Sequence, residues 1–343
     1  MQNSSVSVES DPGASPVNAP GGNRGVVACL DRSRQWHRVA QHALAIAKAM
    51  SIPVTLLQVL EAGPAGDSRA DPLEWEIRRR EASGFLEPLA AILCEGKSPV
   101  GSEIVEGHAA DQICLWAADR SPELIVLGAR GEGWQKNDGL GNTARSVLDR
   151  SAGSVLLVPA TDNSSADEGV VRYKRLLIPL DGSSRAESVL PFAIRLAEAV
   201  KADLLITYVI PVPELIESGP LEPDDIELRE RVVRRNERVA KEYLARVCGY
   251  IALKGIQART MVLRDGDVRS RLVRLVADEN ADLVILSAHG HSGRSDAPFG
   301  SVTAHLIAHS AVPVLIVRNP SGLAAGCGIN ANLADARIAG LCA

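Results

Sequence analysis

The amino-acid sequence predicts an α/β fold with two tandem, doubly wound parallel-sheet domains. Three observations predict it: the composition, a repeated order of strands and helices, and a glycine-rich loop that occurs twice. Apolar residues make up 46% of the 343 residues, whereas aromatic residues make up only 3%. Strands buried on both faces of a parallel sheet are rich in Val, Ile and Leu, so this composition fits such a core. A chain of this length is expected to hold about two domains.

The two halves of the chain repeat the same order of elements. The first predicted strand of each half ends at an aspartate, and Asp181 lies 150 residues after Asp31. In the first half we predict strands at Val26–Leu30, Val54–Leu60, 103–105, 124–127 and Ser154–Val158, and helices at 35–50, Pro72–Leu93 and 109–119. In the second half we predict strands at 176–180, 204–210, Ala258–Leu263, 283–286 and Val314–Val317, and helices at 185–200, 222–248 and 268–279. Alternating strands and helices predict parallel sheets with right-handed crossovers.

A glycine pattern stands between the fourth strand and the last helix of each half. The first copy is Gly128-Ala-Arg-Gly131, then nine residues, then Gly141-Asn142. The second is Ser287-Ala-His-Gly290, then nine residues, then Gly300-Ser301. A turn of this kind at a helix start leaves backbone N–H groups available for phosphate oxygens. Two copies indicate two nucleotide sites, or one site and one relic; the alternative is that the glycines only make tight turns.

The aspartates and the glycine loops all follow predicted strands. Ligands of open parallel sheets bind beyond the carboxyl ends of the strands. We therefore expect Asp31, Asp181 and both loops to gather at one such edge.

Composition and charge limit the classes of function. The net charge of −5 gives no basic footprint for nucleic acid, and no apolar run approaches the roughly 18 residues of a membrane span. None of the six cysteines forms a C-x-x-C pair, so we expect free thiols in a reducing cytoplasm. The expected organisation is a flexible arm (1–24), two domains (25–160 and 174–319) joined by a polar linker (161–173), and a C-terminal tail (320–343).

The order of motifs resembles the universal stress protein family. The second half carries the resemblance through Leu-Ile-Pro-Leu-Asp-Gly-Ser at 177–183, the run ending at Gly290, and Phe-Gly-Ser-Val at 299–302. The first half is similar through Cys-Leu-Asp at 29–31 and Leu-Ile-Val-Leu-Gly at 124–128. The resemblance implies Rossmann-like domains, similar to the adenine nucleotide alpha hydrolases, that form a pseudo-dimer in which the last strands of the two domains pair.

The resemblance also implies binding of an adenine nucleotide, ATP, with Mg²⁺ as a possible companion. Asp31 and Asp181 would line the adenine–ribose pocket, Val59 and Val209 would contact the base through their backbone, and the loop residues would hold ribose and phosphates. The implied nucleotide-binding residues are Asp31, Val59, Leu127, Gly128, Gly131, Gly141, Asn142 and Thr143 in the first half, and Asp181, Val209, Leu286, Gly290, Gly300, Ser301 and Val302 in the second.

Two departures from the family pattern bear on this expectation. Ser287 replaces the first loop glycine of the second copy, where its Cβ would crowd a nucleotide if the position needs a positive φ. Arg32 follows the aspartate of the first copy, where the second copy has Gly182. The first half keeps its loop glycines, which favours it as the phosphate binder.

Three functions stay open at this point. The first is an ATP-binding stress-response module that acts through conformation or protein partners, alone or as a homodimer. The second is a slow ATPase or nucleotidyl transferase that uses His289 or His291. The third is a partner-binding protein of the same fold without nucleotide. No residue is assigned a catalytic or metal-binding role, because no dedicated base or metal cluster is recognisable from spacing.

Overall fold

The computed structural model describes residues 25–33, 35–61, 72–94, 99–131, 139–160, 171–211, 223–264, 266–290 and 299–318. The strands of the first half are β1 (Val26–Leu30), β2 (Val54–Leu60), β3 (Val100–Glu106), β4 (Leu124–Gly128) and β5 (Ser154–Val158). Its helices are α1 (Trp36–Met50), α2 (Pro72–Leu93), α3 (Ala109–Arg120) and α4 (Asn142–Arg150).

The second half repeats this order. Its strands are β6 (Arg175–Pro179), β7 (Asp203–Val209), β8 (Ala258–Leu263), β9 (Leu283–Ser287) and β10 (Val314–Val317). Its helices are α5 (Ser184–Glu187), α6 (Leu190–Val200), α7 (Pro223–Ala252), α8 (Val268–Asp278) and α9 (Ser301–His309). No helix in the described ranges is long and apolar enough to cross a bilayer. The predicted arm, most of the predicted linker and the predicted tail lie outside the described residues.

The two domains share one ten-stranded sheet in the order β3-β2-β1-β4-β5-β10-β9-β6-β7-β8. Within each domain the strands are parallel, and the order is that of a doubly wound fold. The last strands pair across the domain junction as the resemblance implied, with Leu156 opposite Leu315 in an antiparallel register. Helices pack on both faces of the sheet, and each of the two apolar cores extends through both domains.

The antiparallel junction corrects one expectation about the sites. Because β10 runs opposite to β5, all parallel strands of the second domain run opposite to those of the first. The carboxyl ends of the two sets of strands therefore lie at opposite edges of the sheet. Asp31 with the first glycine loop lies at one edge, and Asp181 with the second loop lies at the other, so the expectation that they gather at one edge was wrong.

The predicted helix at 185–200 is two helices in the structure, α5 and α6. Proline at position 191 has no N–H to donate to the carbonyl of Glu187, so the regular bonding pattern is interrupted there. Ser183 caps α5, with its hydroxyl accepting a hydrogen bond from the N–H of Ala186 at 3.1 Å.

A buried hydrogen bond joins the end of the linker, just before the second domain, to the first domain. The hydroxyl of Tyr173, which is 3% exposed, lies 2.7 Å from Nδ1 of His42 on α1. Burial, with a smaller contribution from the charge of Arg38, lowers the pKa of His42 to about 4. The neutral imidazole is therefore the form that the folded protein keeps.

This pair predicts a pH dependence of stability. The pKa of His42 is about 6.5 in the unfolded chain. Because folding depresses it to about 4, the unfolded state takes up the proton first as the pH falls. The contribution of His42 is thus complete above about pH 6.5 and is lost on acidification towards pH 4.

We expect wild-type protein to lose about 2 kcal/mol more unfolding free energy than His42→Gln between pH 7 and pH 5. Glutamine keeps an acceptor for Tyr173 but does not titrate. Urea unfolding at both pH values measures the difference, and Tyr173→Phe controls for loss of the hydrogen bond itself. Equal pH dependence in wild type and His42→Gln would contradict the assignment.

Candidate functional site

A cavity of about 1090 Å³ opens at the carboxyl edge of the first domain. Its volume lies just above the roughly 300–1,000 Å³ typical of small-molecule sites, so it can hold a ligand of that size. The lining includes every residue that the resemblance implied for this half: Asp31, Val59, Leu127, Gly128, Gly131, Gly141, Asn142 and Thr143. The structure therefore brings the complete first set together around one space.

The phosphate end of the cavity is the N-terminus of α4. Gly141 occupies the N-cap with no side chain to cap the helix, and its own N–H is bound to the carbonyl of Ala129 at 2.9 Å. The first intrahelical bond is donated by Arg145 to Gly141. The N–H groups of Asn142, Thr143 and Ala144 therefore have no intrahelical acceptor, and they are the groups that hold anions at helix starts.

Asp31 is held by its own loop. One carboxylate oxygen, Oδ1, accepts hydrogen bonds from the N–H of Ser33 at 3.2 Å and from its hydroxyl at 2.5 Å. The other oxygen, Oδ2, faces Gly131, where an added Cβ would lie 3.2 Å away. A fixed carboxylate beside the glycine loop can accept a hydrogen bond from a ribose hydroxyl, as acidic residues do in dinucleotide sites.

Neither departure from the family pattern, Arg32 in the first domain or Ser287 in the second, has the obstructing effect that the sequence suggested. The guanidinium of Arg32 pairs with Glu81 at 3.2 Å, and its side chain is 65% exposed, so it lies at the mouth. Gly128 and Ser287 both lie outside the positive-φ region, so the conformational objection to Ser287 does not apply. The Ser287 hydroxyl instead donates to the carbonyl of His289 at 2.6 Å.

The sequence interpretation missed the side of the cavity that α2 covers. Trp36 and Phe85 meet edge to face there with centroids 4.9 Å apart, next to Ala82. Gln58 of β2 also lines the cavity; it is 4% exposed, and its side-chain oxygen has no hydrogen-bond partner. A long amide side chain between the apolar residues Leu57 and Val59 of β2 is the sequence signal that could have drawn attention to it.

The second domain differs at the equivalent places. Tyr208 stands 150 residues after Gln58, and its ring contacts that of Tyr243 on α7 with centroids 6.1 Å apart. Glu187 is buried in the same region, and burial followed by the charge of Glu187 raises the pKa of Tyr243. The second implied set takes its expected positions at the strand ends and at the start of α9, and the rings of Tyr208 and Tyr243 pack together at this edge. That set is Asp181, Val209, Leu286, Gly290, Gly300, Ser301 and Val302.

Among the residues that the structure describes, no group of three His, Cys, Asp or Glu side chains is arranged to hold a metal ion. His291, which the enzyme hypothesis used, lies outside those residues. His305 and His309 stack on each other on α9, with ring centroids 4.1 Å apart.

The fold and the site define the class: a tandem doubly wound α/β protein with a glycine loop at the carboxyl edge of each half. The universal stress protein family model matches the chain twice, at residues 22–159 and 172–318. The chain belongs to the universal stress protein family. The chain therefore carries two copies of the family domain in tandem, which agrees with the two domains of the fold.

Individual relatives agree with this assignment. A universal stress protein of Mycolicibacterium smegmatis is 26% identical over 311 residues, which cover 86% of this chain and 97% of the relative. One from Mycobacterium tuberculosis H37Rv is 24% identical over 315 residues, covering 88% and 99%. The crystal structure of a universal stress protein from Archaeoglobus fulgidus superposes with a TM-score of 0.60 at 16% identity, covering 88% of this chain and 98% of that one. The last comparison shows the fold alone.

The two glycine loops should differ in how well they tolerate a side chain at Gly131 in the first loop and at Gly290 in the second. An added Cβ at Gly290 would overlap Oδ2 of Asp181, whereas at Gly131 it would lie 3.2 Å from the equivalent oxygen. Asp181 cannot easily turn away, because its Oδ1 is held by the N–H and hydroxyl of Ser183. We expect Gly290→Ala to lower the unfolding free energy by about 1–3 kcal/mol and Gly131→Ala by less than about 1 kcal/mol. Urea unfolding of the two variants provides the comparison, and a larger loss in Gly131→Ala would contradict the geometry.

Proposed function

We propose that this universal stress protein binds an adenine nucleotide, ATP, in the first-domain cavity, and that occupancy governs its conformation or its choice of protein partner in a stress response. The observation that carries the proposal is that the cavity is lined by every implied first-half residue. A free helix N-terminus supports binding of an anion at one end. The Asp31 carboxylate supports binding of a hydroxylated sugar beside it.

The same arrangement favours binding over efficient hydrolysis. The carboxylates among the described residues that line the cavity already hold parts of the protein: Asp31 accepts from Ser33, and Glu81 pairs with Arg32. Oε1 of Glu61 accepts the N–H of Ala109 at 2.7 Å, at the start of α3. A hydrolase would need a carboxylate or another base positioned to orient water at the terminal phosphate. We therefore propose slow hydrolysis at most.

Occupancy is proposed for the first domain, because the complete implied set lines its cavity and the second domain has Tyr208 in place of Gln58. A homodimer, the protein partners, a companion Mg²⁺ and a cytoplasmic location stay predictions. Association of ATP with Mg²⁺ would neutralise part of the phosphate charge, which the described cavity meets chiefly with backbone N–H groups.

Equilibrium dialysis with labelled ATP, with and without Mg²⁺, tests the proposal. We expect one saturable site per chain. Asp31→Ala should weaken binding about 10-fold or more, because it removes a charge-assisted hydrogen bond to the ligand. Asp181→Ala is the matched control, since it breaks the same turn to the following serine in the other domain and should leave the affinity unchanged.

Absence of saturable binding below millimolar ATP would refute the proposal and favour a partner-binding protein without nucleotide. Two sites per chain, or equal loss in both variants, would refute the restriction to the first domain. Turnover that persists in highly purified protein and is lost in His289→Ala would favour the enzyme instead.

A further inference from the structure

Gln58 lies at a place where the sheet is otherwise apolar. In the register of the sheet it stands opposite Leu30 on β1 and Ile104 on β3. Side chains alternate along a strand, so Gln58 shares the face of Leu56, which belongs to the apolar core beneath α1 and α2. An amide in this position is a polar group within an apolar wall.

The amide has an unmet need for a hydrogen bond. Its Oε1 atom is buried without a partner, and the whole residue is 4% exposed. The large majority of buried side-chain polar atoms have at least one hydrogen-bond partner, and leaving one without destabilises the folded state. Since Gln58 also lines the cavity, a bound ligand can supply the missing donor.

The surroundings of Gln58 fit a flat, largely apolar ring with a polar edge. Trp36 and Phe85 form an aromatic corner on this side, and Ala82 leaves room between them and the sheet. A side-chain amide offers an acceptor and a donor side by side. The adenine edge presents the complementary pair, an exocyclic amino donor beside a ring-nitrogen acceptor.

We propose that Gln58 selects the adenine base, with its Oε1 accepting a hydrogen bond from the 6-amino group; this rests on the nucleotide site proposed above. The phosphate end would then lie at the start of α4 and the base end under α2. The second domain has Tyr208 at this position, with its ring in contact with that of Tyr243. The proposed base-selecting residue thus lies in the domain whose cavity holds the complete implied set.

The test is a cycle of two proteins and two ligands. Wild type and Gln58→Met are each titrated with ATP and with purine riboside triphosphate, which has hydrogen in place of the 6-amino group. We expect wild type to prefer ATP by about 10- to 100-fold, and Gln58→Met to bind the two ligands within about 2-fold of each other. Methionine keeps the length of the side chain and removes both hydrogen-bonding groups.

Thr207→Val is the matched control. Thr207 on β7 is also fully buried with an unpartnered side-chain oxygen, but it belongs to the other domain. Its replacement should leave the preference for ATP unchanged, and circular dichroism should show that all variants are folded.

The outcomes separate this inference from the function on which it rests. If wild type binds ATP but does not distinguish the two ligands, the role of Gln58 is refuted while the site stands; this arm needs no variant. A preference that persists in Gln58→Met refutes the role equally. If wild type binds neither ligand, both the role and the proposed site are refuted.

Discussion

The antiparallel pairing of β5 with β10 is the constraint on which the rest of the structure depends. Both strands are entirely buried, so in a separated domain each would present an apolar sheet edge of the kind that promotes aggregation. Pairing removes both edges and turns two half-sheets into one. Arg318 reinforces the junction by donating from its guanidinium to the carbonyls of Ser151 and Leu148, which belong to the other domain. Arg195 of α6 adds an ion pair to Glu123.

This junction also separates the two carboxyl edges, which allows the domains to differ. Side chains that differ at one carboxyl edge make no direct contact with the described residues at the other edge. The first domain keeps Gln58 and a cavity, whereas the second has Tyr208 in the equivalent position, packed on Tyr243. The backbone turns remain alike: Asp31 and Asp181 each accept from the serine two residues on. The scaffold is thus common to both halves, and the difference lies in the volume of a few side chains.

Features that depend on residues close together in sequence could be predicted, whereas features that depend on contacts between distant residues could not. The bounds of β1, β2, β5, β8 and β10 were predicted correctly because each is an apolar or β-branched run with a polar or turn residue at its ends. The first-half site residues assemble because each lies at or just beyond the carboxyl end of a strand, or at the start of a helix, in one parallel sheet. The sequence could not predict that the carboxyl ends of the two domains lie at opposite edges of the sheet. That arrangement depends on the antiparallel direction of the pairing between β5 and β10, which are far apart in sequence. The role of Gln58 depends on how α2 packs, which strand periodicity does not reveal.

The two ends of the first-domain cavity together restrict what can occupy it. At one end, backbone N–H groups at the start of α4 without intrahelical acceptors favour an anion. At the other, an aromatic corner with the unpartnered Gln58 oxygen favours a flat ring with a hydrogen-bond donor. A simple anion satisfies only the first end, and an apolar metabolite satisfies neither polar requirement. A nucleotide satisfies both, and because it would supply hydrogen-bond partners for these groups, such a ligand would also stabilise the fold when it binds. Ligand binding and stability of the first domain are therefore expected to be coupled through the same two ends of the cavity.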